Sequence, residues 1–173
     1  HDHLHSMAHT DPLTGLSNRR GLNASMPLVV QQAQPDHLTA IYMLDLDGFK
    51  QINDQFGHDV GDELLIAVAE RLRTNVRNSD IIARLGGDEF VVVSSGLNSA
   101  WQAHELGEKL IKSFHAPFVL PAQSCHIGMT VGYALAPLDG TDAFNLLKLA
   151  DSAMYRGKND GKYCVRRVVD PVL

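Results

Sequence analysis

The chain has 173 residues, a mass of 19.0 kDa, 45% hydrophobic and 20% charged residues, which is a length and balance for one packed domain rather than a disordered chain. Its 15 Lys+Arg against 20 Asp+Glu give a net charge of −5, which argues against non-specific binding to DNA or to an anionic membrane but leaves room for a local phosphate site. Two cysteines, Cys125 and Cys164, are too few for a disulfide framework, and neither a membrane-length apolar run nor a signal-peptide pattern is present. These features predict a reduced cytoplasmic domain, either free or as the cytoplasmic part of a membrane-anchored protein. The start at His1 rather than Met suggests a fragment of a longer chain.

Residues 1–10 are polar and rich in histidine, and read as the end of a linker helix from a preceding domain. Asp11-Pro12-Leu13-Thr14-Gly15 reads as a turn, after which Ser17 or Asn18 caps a helix reaching about Gln34. Residues 38–46 form an apolar run with the look of a buried strand, and it delivers Asp45 and Asp47 near its end. A short helix over 48–56 follows, and a second runs from Asp59 or Gly61 to about Asn75. Residues 80–84 and 89–94 read as a hairpin around Gly86-Gly87. An amphipathic helix over 99–115 places Trp101, Leu106, Leu110, Ile111 and Phe114 inward, with Pro117 as its stop. Residues 118–120 and 125–135 read as a strand pair around Pro121. Asp142 to about Gly157 is a helix with Leu146, Leu147, Leu149, Ala150, Ala153 and Met154 inward, and 162–168 is an edge strand. The mixture predicts an α/β (α+β) domain over 11–168, with a largely antiparallel central sheet flanked by helices and a tail at 169–173.

Four groups of residues could carry chemistry. Asp45-Leu46-Asp47 and Gly86-Gly87-Asp88-Glu89 place carboxylates at strand ends, where burial is costly unless a cation or a partner answers it. Oxygen donors of this kind suit Mg²⁺, while a plain polar hairpin loop explains the second cluster equally well. Between them lie Lys50, Asn53, His58 and Asp62. A carboxylate and an amide can read the edge of guanine, although a turn asparagine and a helix-capping aspartate are the commoner roles. Lys158 and Lys162 flank Asn159-Asp160-Gly161 and suit either phosphate or a helix end. Arg77 and Asp80 form either a surface ion pair or a site where Arg77 stacks on a base and Asp80 reads an amine.

Taken together, the sequence resembles the GGDEF family of diguanylate cyclases. The signature stands as Gly86-Gly87-Asp88-Glu89-Phe90, with Asp11 to Arg20, Asp45 to Asp62, Thr130-Val131-Gly132 and Ala150 to Tyr155 similar to further family motifs in order. The resemblance spans about 8 to 168. It implies a palm-like sheet similar to that of class III nucleotide cyclases, and condensation of two GTP into cyclic di-GMP with release of two pyrophosphates. It implies two Mg²⁺ or Mn²⁺ ions per active site, held by Asp45, the Leu46 carbonyl and Asp88, with Glu89 beside them as a further ligand. Asp88 fills the general-base position, and Lys50 the position of transition-state stabilisation. Asn53, His58 and Asp62 match guanine and ribose contacts, Gly86 and Gly87 the turn beside the substrate, and Lys158 and Lys162 phosphate contacts. Lys162 replaces the usual Arg and loses its bidentate fork. Arg77 and Asp80 match an R-x-x-D site for inhibition by the product. Because one domain holds one GTP, the resemblance implies a homodimer, with sensory or phosphodiesterase domains elsewhere in the longer chain and no DNA partner. The alternative is a non-catalytic module that senses GTP or cyclic di-GMP, made less apt by the intact acids.

Overall fold

The computed structural model of the chain describes residues 8–168. In chain order the elements are α1 (Arg19–Gln31), β1 (Leu38–Asp47), α2 (Phe49–Phe56), α3 (His58–Asn75), β2 (Ile81–Gly86), β3 (Glu89–Leu97), α4 (Ala100–Lys112), β4 (Phe118–Val119), β5 (Ser124–Cys125), β6 (Gly128–Ala136), α5 (Ala143–Asn159) and β7 (Val165–Arg167). Ala8 and His9 are helical, and residues 1–7 of the expected linker helix, like the tail at 169–173, lie outside the described residues.

Five strands form the main sheet in the order β2-β3-β1-β6-β7. β1 lies at its centre, antiparallel to β3 and to β6, and only the β6–β7 pair is parallel. Both faces of β1 are covered, so its sequence is an unbroken apolar run rather than an alternation. Tyr42, Leu44 and Leu46 point into one apolar layer with Leu64, Leu65, Val68 and Leu72 of α3 and Leu110 of α4. Ile41 and Met43 point into the other, with Leu22, Met26 and Val30 of α1 and Leu146, Leu147, Ala150 and Met154 of α5. The helices are stopped and started by side chains that answer their free backbone groups. Asn18, Ser99 and Asp142 accept from Gly21, Gln102 and Asn145 at the starts of α1, α4 and α5.

Several expectations shift. Helix α4 ends at Lys112, short of Pro117, and Phe114 lies beyond it, packed edge-on against Phe118 with ring centroids 5.1 Å apart. The cause is Arg71 of α3, whose guanidinium donates to the carbonyls of Ser113, Ala116 and Pro117 and covers the Phe118 ring at 3.6 Å, stabilising a non-helical turn there. Trp101 is 68% exposed rather than inward. The inner stripe of α4 is Ala103, Gly107, Leu110 and Ile111, and Trp101 falls off that stripe and stacks on His104. The strand pair around Pro121 is a separate two-stranded sheet, β4 with β5, and β6 is a distinct strand of the main sheet. Leu149 is only partly buried.

Candidate active site

The end of β1 carries the chemistry because strand geometry sorts its residues by face. Asp45 and Asp47 point the same way as Ile41 and Met43, toward the layer that α5 covers, while Leu46 turns into the opposite layer. The ladder sets Asp45 opposite Glu89 on β3 and Thr130 on β6. One residue on, the Leu46 N–H donates to the Asp88 carbonyl at 3.2 Å, so the β2–β3 turn folds its acid back onto β1. That turn contains Gly86 and Gly87 at φ 146° and 51°, backbone that residues with a Cβ rarely adopt.

The result is a crowded pair of carboxyls. Burial, then the charge of Asp88, pushes Asp45 from its usual 3.8 up to about 7, against the opposing pull of Lys158. Asp45 Oδ1 is buried with no hydrogen-bond partner. Two carboxyls in contact, an orphaned carboxylate oxygen and the adjacent Leu46 carbonyl form an all-oxygen donor set, which fits a hard divalent cation such as Mg²⁺. Among the described residues no three His, Cys, Asp or Glu side chains gather as a ready-made metal set, so the fit rests on the Asp45–Asp88 pair plus backbone oxygen.

Asp47, grouped with Asp45 among the strand-end carboxylates but outside the ligand set that the family resemblance implies, is 3% exposed and is the most heavily bonded acid here. It accepts from Thr130 Oγ1 at 2.7 Å, from the Tyr163 N–H at 3.2 Å and from Lys158 Nζ. Lys158 Nζ also lies 3.5 Å from Asp45 Oδ2 and 3.3 Å from the Leu46 carbonyl. Its ammonium is thus on the acids. Lys162 is exposed in the turn that follows, at φ 67°.

The base-reading candidates sit on the helix pair that leaves this end of β1. Gly57 is both the last cap of α2 and the first cap of α3. Asn53 Oδ1 is buried without a partner and lies where a Cβ on Gly61 would stand, 1.8 Å away, so the absence of a side chain at Gly61 is what admits the amide. Asp62 follows Gly61 and is exposed, one turn along α3 from the exposed His58. Because Gly57 caps α3, Asp62 is not the helix cap that its position allowed. Lys50 is exposed in the first turn of α2.

Glu89 stands opposite Asp45 on the β1–β3 ladder. It lines a cleft of about 310 Å³ with Arg19, Asn23, Lys148 and Asp151. Burial, then Asp151 and Asp88, raise its carboxyl, and Arg19 lowers it. Arg77 and Asp80 lie toward the other end of the sheet. The Arg77 guanidinium bonds Asp80 at 3.2 Å, Ser94 Oγ at 2.8 Å and the Ser95 carbonyl, and the Arg77 N–H bonds Asp80 at 2.9 Å. Ser94 stands opposite Ala40, five residues from Asp45, or about 17 Å along β1.

One brace was missed in the sequence. Asp11 accepts from the Thr14 N–H and hydroxyl and pairs with Arg84 at 3.0 Å, and Arg84 Nε donates to the Gly87 carbonyl at 3.0 Å. Through Arg84, 73 residues from Asp11, the Asp-Pro-Leu-Thr-Gly turn thereby steadies the glycine turn. The signal available was Asp11 three residues before Thr14, a spacing for a side-chain-bonded turn.

Comparison with known proteins gives this geometry a relation. A family model described as diguanylate cyclase, GGDEF domain, matches residues 8–164. The bifunctional diguanylate cyclase/cyclic di-GMP phosphodiesterase MucR of Pseudomonas aeruginosa is 44% identical over 93% of this chain, which spans 24% of that protein. The solved structure of an N-terminally truncated TpbB from Pseudomonas aeruginosa comprising only its GGDEF domain superposes with a TM-score of 0.88 at 36% identity, covering 93% of this chain and 95% of that one. The GGDEF domain of DgcB from Caulobacter crescentus, solved in complex with c-di-GMP, superposes with a TM-score of 0.83 at 25% identity, covering 93% of this chain and 96% of that one. The palm-like sheet, the hairpin that carries Gly86 to Phe90 and the match across nearly all described residues place this chain in the GGDEF-domain family of diguanylate cyclases.

Proposed function

We propose that this domain is a catalytic diguanylate cyclase that joins two GTP molecules into cyclic di-GMP. The observation that carries the reading is the Asp45–Asp88 pair. Two neighbouring carboxyls keep one buried oxygen, Asp45 Oδ1, without a partner even though Lys158 lies 3.5 Å from Asp45 Oδ2, and a divalent cation would answer both acids at once.

Asp45, Asp88 and the Leu46 carbonyl would hold Mg²⁺ or Mn²⁺. When bound, such an ion offsets charge on the phosphates and lowers the pKa of a coordinated hydroxyl. The chain's own groups do the rest. Asn53 and Asp62 offer an acceptor-rich edge to the guanine N1–H and exocyclic amine, and His58 stands one turn away, toward the ribose. Lys50, Lys158 and Lys162 supply cations to the triphosphate. Asp88 accepts the proton of the attacking 3′-hydroxyl. The new bond joins O3′ to the α-phosphorus, the bond to the bridging oxygen of pyrophosphate breaks in line, and pyrophosphate leaves. Each domain presents one nucleotide to the other, so two copies must meet face to face. Arg77 and Asp80 would bind the product and hold domains apart, which gives feedback inhibition. The domain would act in the cytoplasm, under sensory or phosphodiesterase domains of the same longer protein.

The test is incubation of the protein with GTP and Mg²⁺, with analysis for cyclic di-GMP. Product that vanishes in Asp88→Asn supports the reading. GTP or cyclic di-GMP binding with no product over a day, at concentrations that force dimerisation, makes the domain a sensing module instead.

A further inference from the structure

The acid cluster is not bare. Lys158 places its ammonium against the same oxygens that would ligate a divalent cation: Asp45 Oδ2 at 3.5 Å and the Leu46 carbonyl at 3.3 Å. The third contact differs in kind. Asp47 is fully buried in its side chain, is fixed by Thr130 Oγ1 and the Tyr163 N–H, and makes the closest ion pair with Lys158. The lysine is therefore anchored at Asp47 and only loosely attached at Asp45 and Leu46. It lies in the last turn of α5, with a side chain 19% exposed, and its ammonium is the atom that meets all three oxygens.

We infer that Lys158 is the resident counter-ion of the Asp45 cluster in the nucleotide-free chain, that a divalent cation must displace it from Asp45 and the Leu46 carbonyl, and that Asp47 keeps it at hand for the incoming phosphates. This rests on the proposed cyclase reading of the same site. The physical case is a competition for donors. An ammonium and a dication cannot share the same two oxygens, because their repulsion at such separations is large even in a polar site. Removing the dication leaves the acids answered by lysine. Adding a triphosphate gives the displaced ammonium a new anionic partner within reach of its Asp47 tether. Metal alone should therefore bind weakly, and metal with nucleotide should bind cooperatively, since each removes a cost from the other.

The test compares Mn²⁺ binding, followed by electron paramagnetic resonance, in the wild type, Lys158→Met and Lys158→Arg, each with and without a non-hydrolysable GTP analogue. Without nucleotide, Lys158→Met should bind Mn²⁺ at least about fivefold more tightly than the wild type, as expected on deletion of a competing cation. Lys158→Arg, which keeps the charge, should stay weak. The analogue should tighten Mn²⁺ binding in the wild type and do so less in Lys158→Met. Unchanged or weaker Mn²⁺ binding in Lys158→Met overturns the proposal. A measurement on the wild type alone guards against a variant that fails to fold: the Lys158 ammonium resonance in ¹H–¹⁵N correlation spectra should shift on addition of Mg²⁺, and a resonance indifferent to Mg²⁺ also overturns it. The outcomes separate from those of the cyclase reading. Wild-type product formation with Mn²⁺ affinity untouched by Lys158→Met sinks only the counter-ion role, whereas competitive Mn²⁺ binding in a wild type that makes no product sinks only the catalytic reading.

Discussion

The two charged sites of this domain are built on opposite principles. At one end of β1, Asp45 and Asp88 set like charge against like charge, one carboxylate oxygen has no partner, and Asp45 is held near 7. Toward the other end, Arg77 and Asp80 are opposite charges, and the guanidinium also bonds Ser94 and the Ser95 carbonyl. The first site keeps an orphaned oxygen even with Lys158 seated against it, and it improves when a divalent cation binds. The second is already satisfied, so a ligand there must compete with bonds the chain has made. A half-buried acid pair with an orphaned oxygen marks where a fold gives up stability for chemistry, and a saturated ion pair such as Arg77–Asp80 does not.

The sharpest way to break this contrast is at the acid pair. Asp45→Asn or Asp88→Asn should lower cyclic di-GMP formation by more than about a hundredfold, through loss of cation and proton-accepting groups, with an unchanged circular dichroism spectrum. Product at the wild-type rate from either purified variant would count against the metal assignment.

The neighbouring helix pair should show a smaller effect. Asp62→Ser should reduce the preference for GTP over ATP by about tenfold, since a carboxylate that pairs with guanine donors penalises an edge lacking them. Competition assays in which the preference is unmoved would make Asp62 an ordinary exposed helix residue.

The contrast also predicts a pH dependence of stability. Asp45 is raised from 3.8 to about 7 in the folded chain, so the folded state holds its proton where the unfolded state has released it. The stability this group contributes is complete below pH 4 and is lost as pH rises through 7, by on the order of 1–2 kcal/mol after allowance for solvent screening. Metal-free Asp45→Asn should then melt a few degrees above the wild type at pH 8, with the gap closing toward pH 5. Mg²⁺ should narrow the gap at pH 8 by stabilising the wild type. Calorimetry in chelator that shows no gap at pH 8 would mean the pair is relieved some other way.

The satisfied site should respond least in turnover. Arg77→Ala should leave the initial rate at saturating GTP within about twofold, because the residue lies about 17 Å along the strand from the acids. Its progress curve should keep rising where the wild type flattens as product builds up. Flattening at the same product level would make Arg77 a structural ion pair holding Asp80 to β3.

Much of the frame could be read from the chain. The run at 38–46 announces a strand covered on both faces, and the start of α5 is announced by Asp142 before an apolar periodicity. Both are local signals with local causes, capping and burial pattern. The strand pair around Pro121 was misread because an apolar alternation shows no break at Ile127, where the chain leaves the small sheet and enters the large one. Trp101 was misplaced because bulk suggests burial, whereas the close contacts of α4 are made by Ala103 and Gly107; a Cβ on Gly107 would lie 3.0 Å from Val165.

What the sequence determined by itself is the inventory: a composition suited to one packed domain, the family, the acids at two strand ends and the helices that carry Asn53, Asp62 and Lys158. What only the tertiary structure decided is how those groups are charged and held. The raised carboxyl of Asp45 depends on its burial and then on Asp88 arriving from a turn 43 residues later. The seating of Lys158 on Asp47 requires the last turn of α5 to pack beside the end of β1, 111 residues earlier. The brace from Asp11 through Arg84 to Gly87 likewise joins groups far apart in the chain. Such pairings follow from which strands become neighbours, and that is fixed by the global minimum of burial and hydrogen bonding rather than by any local pattern.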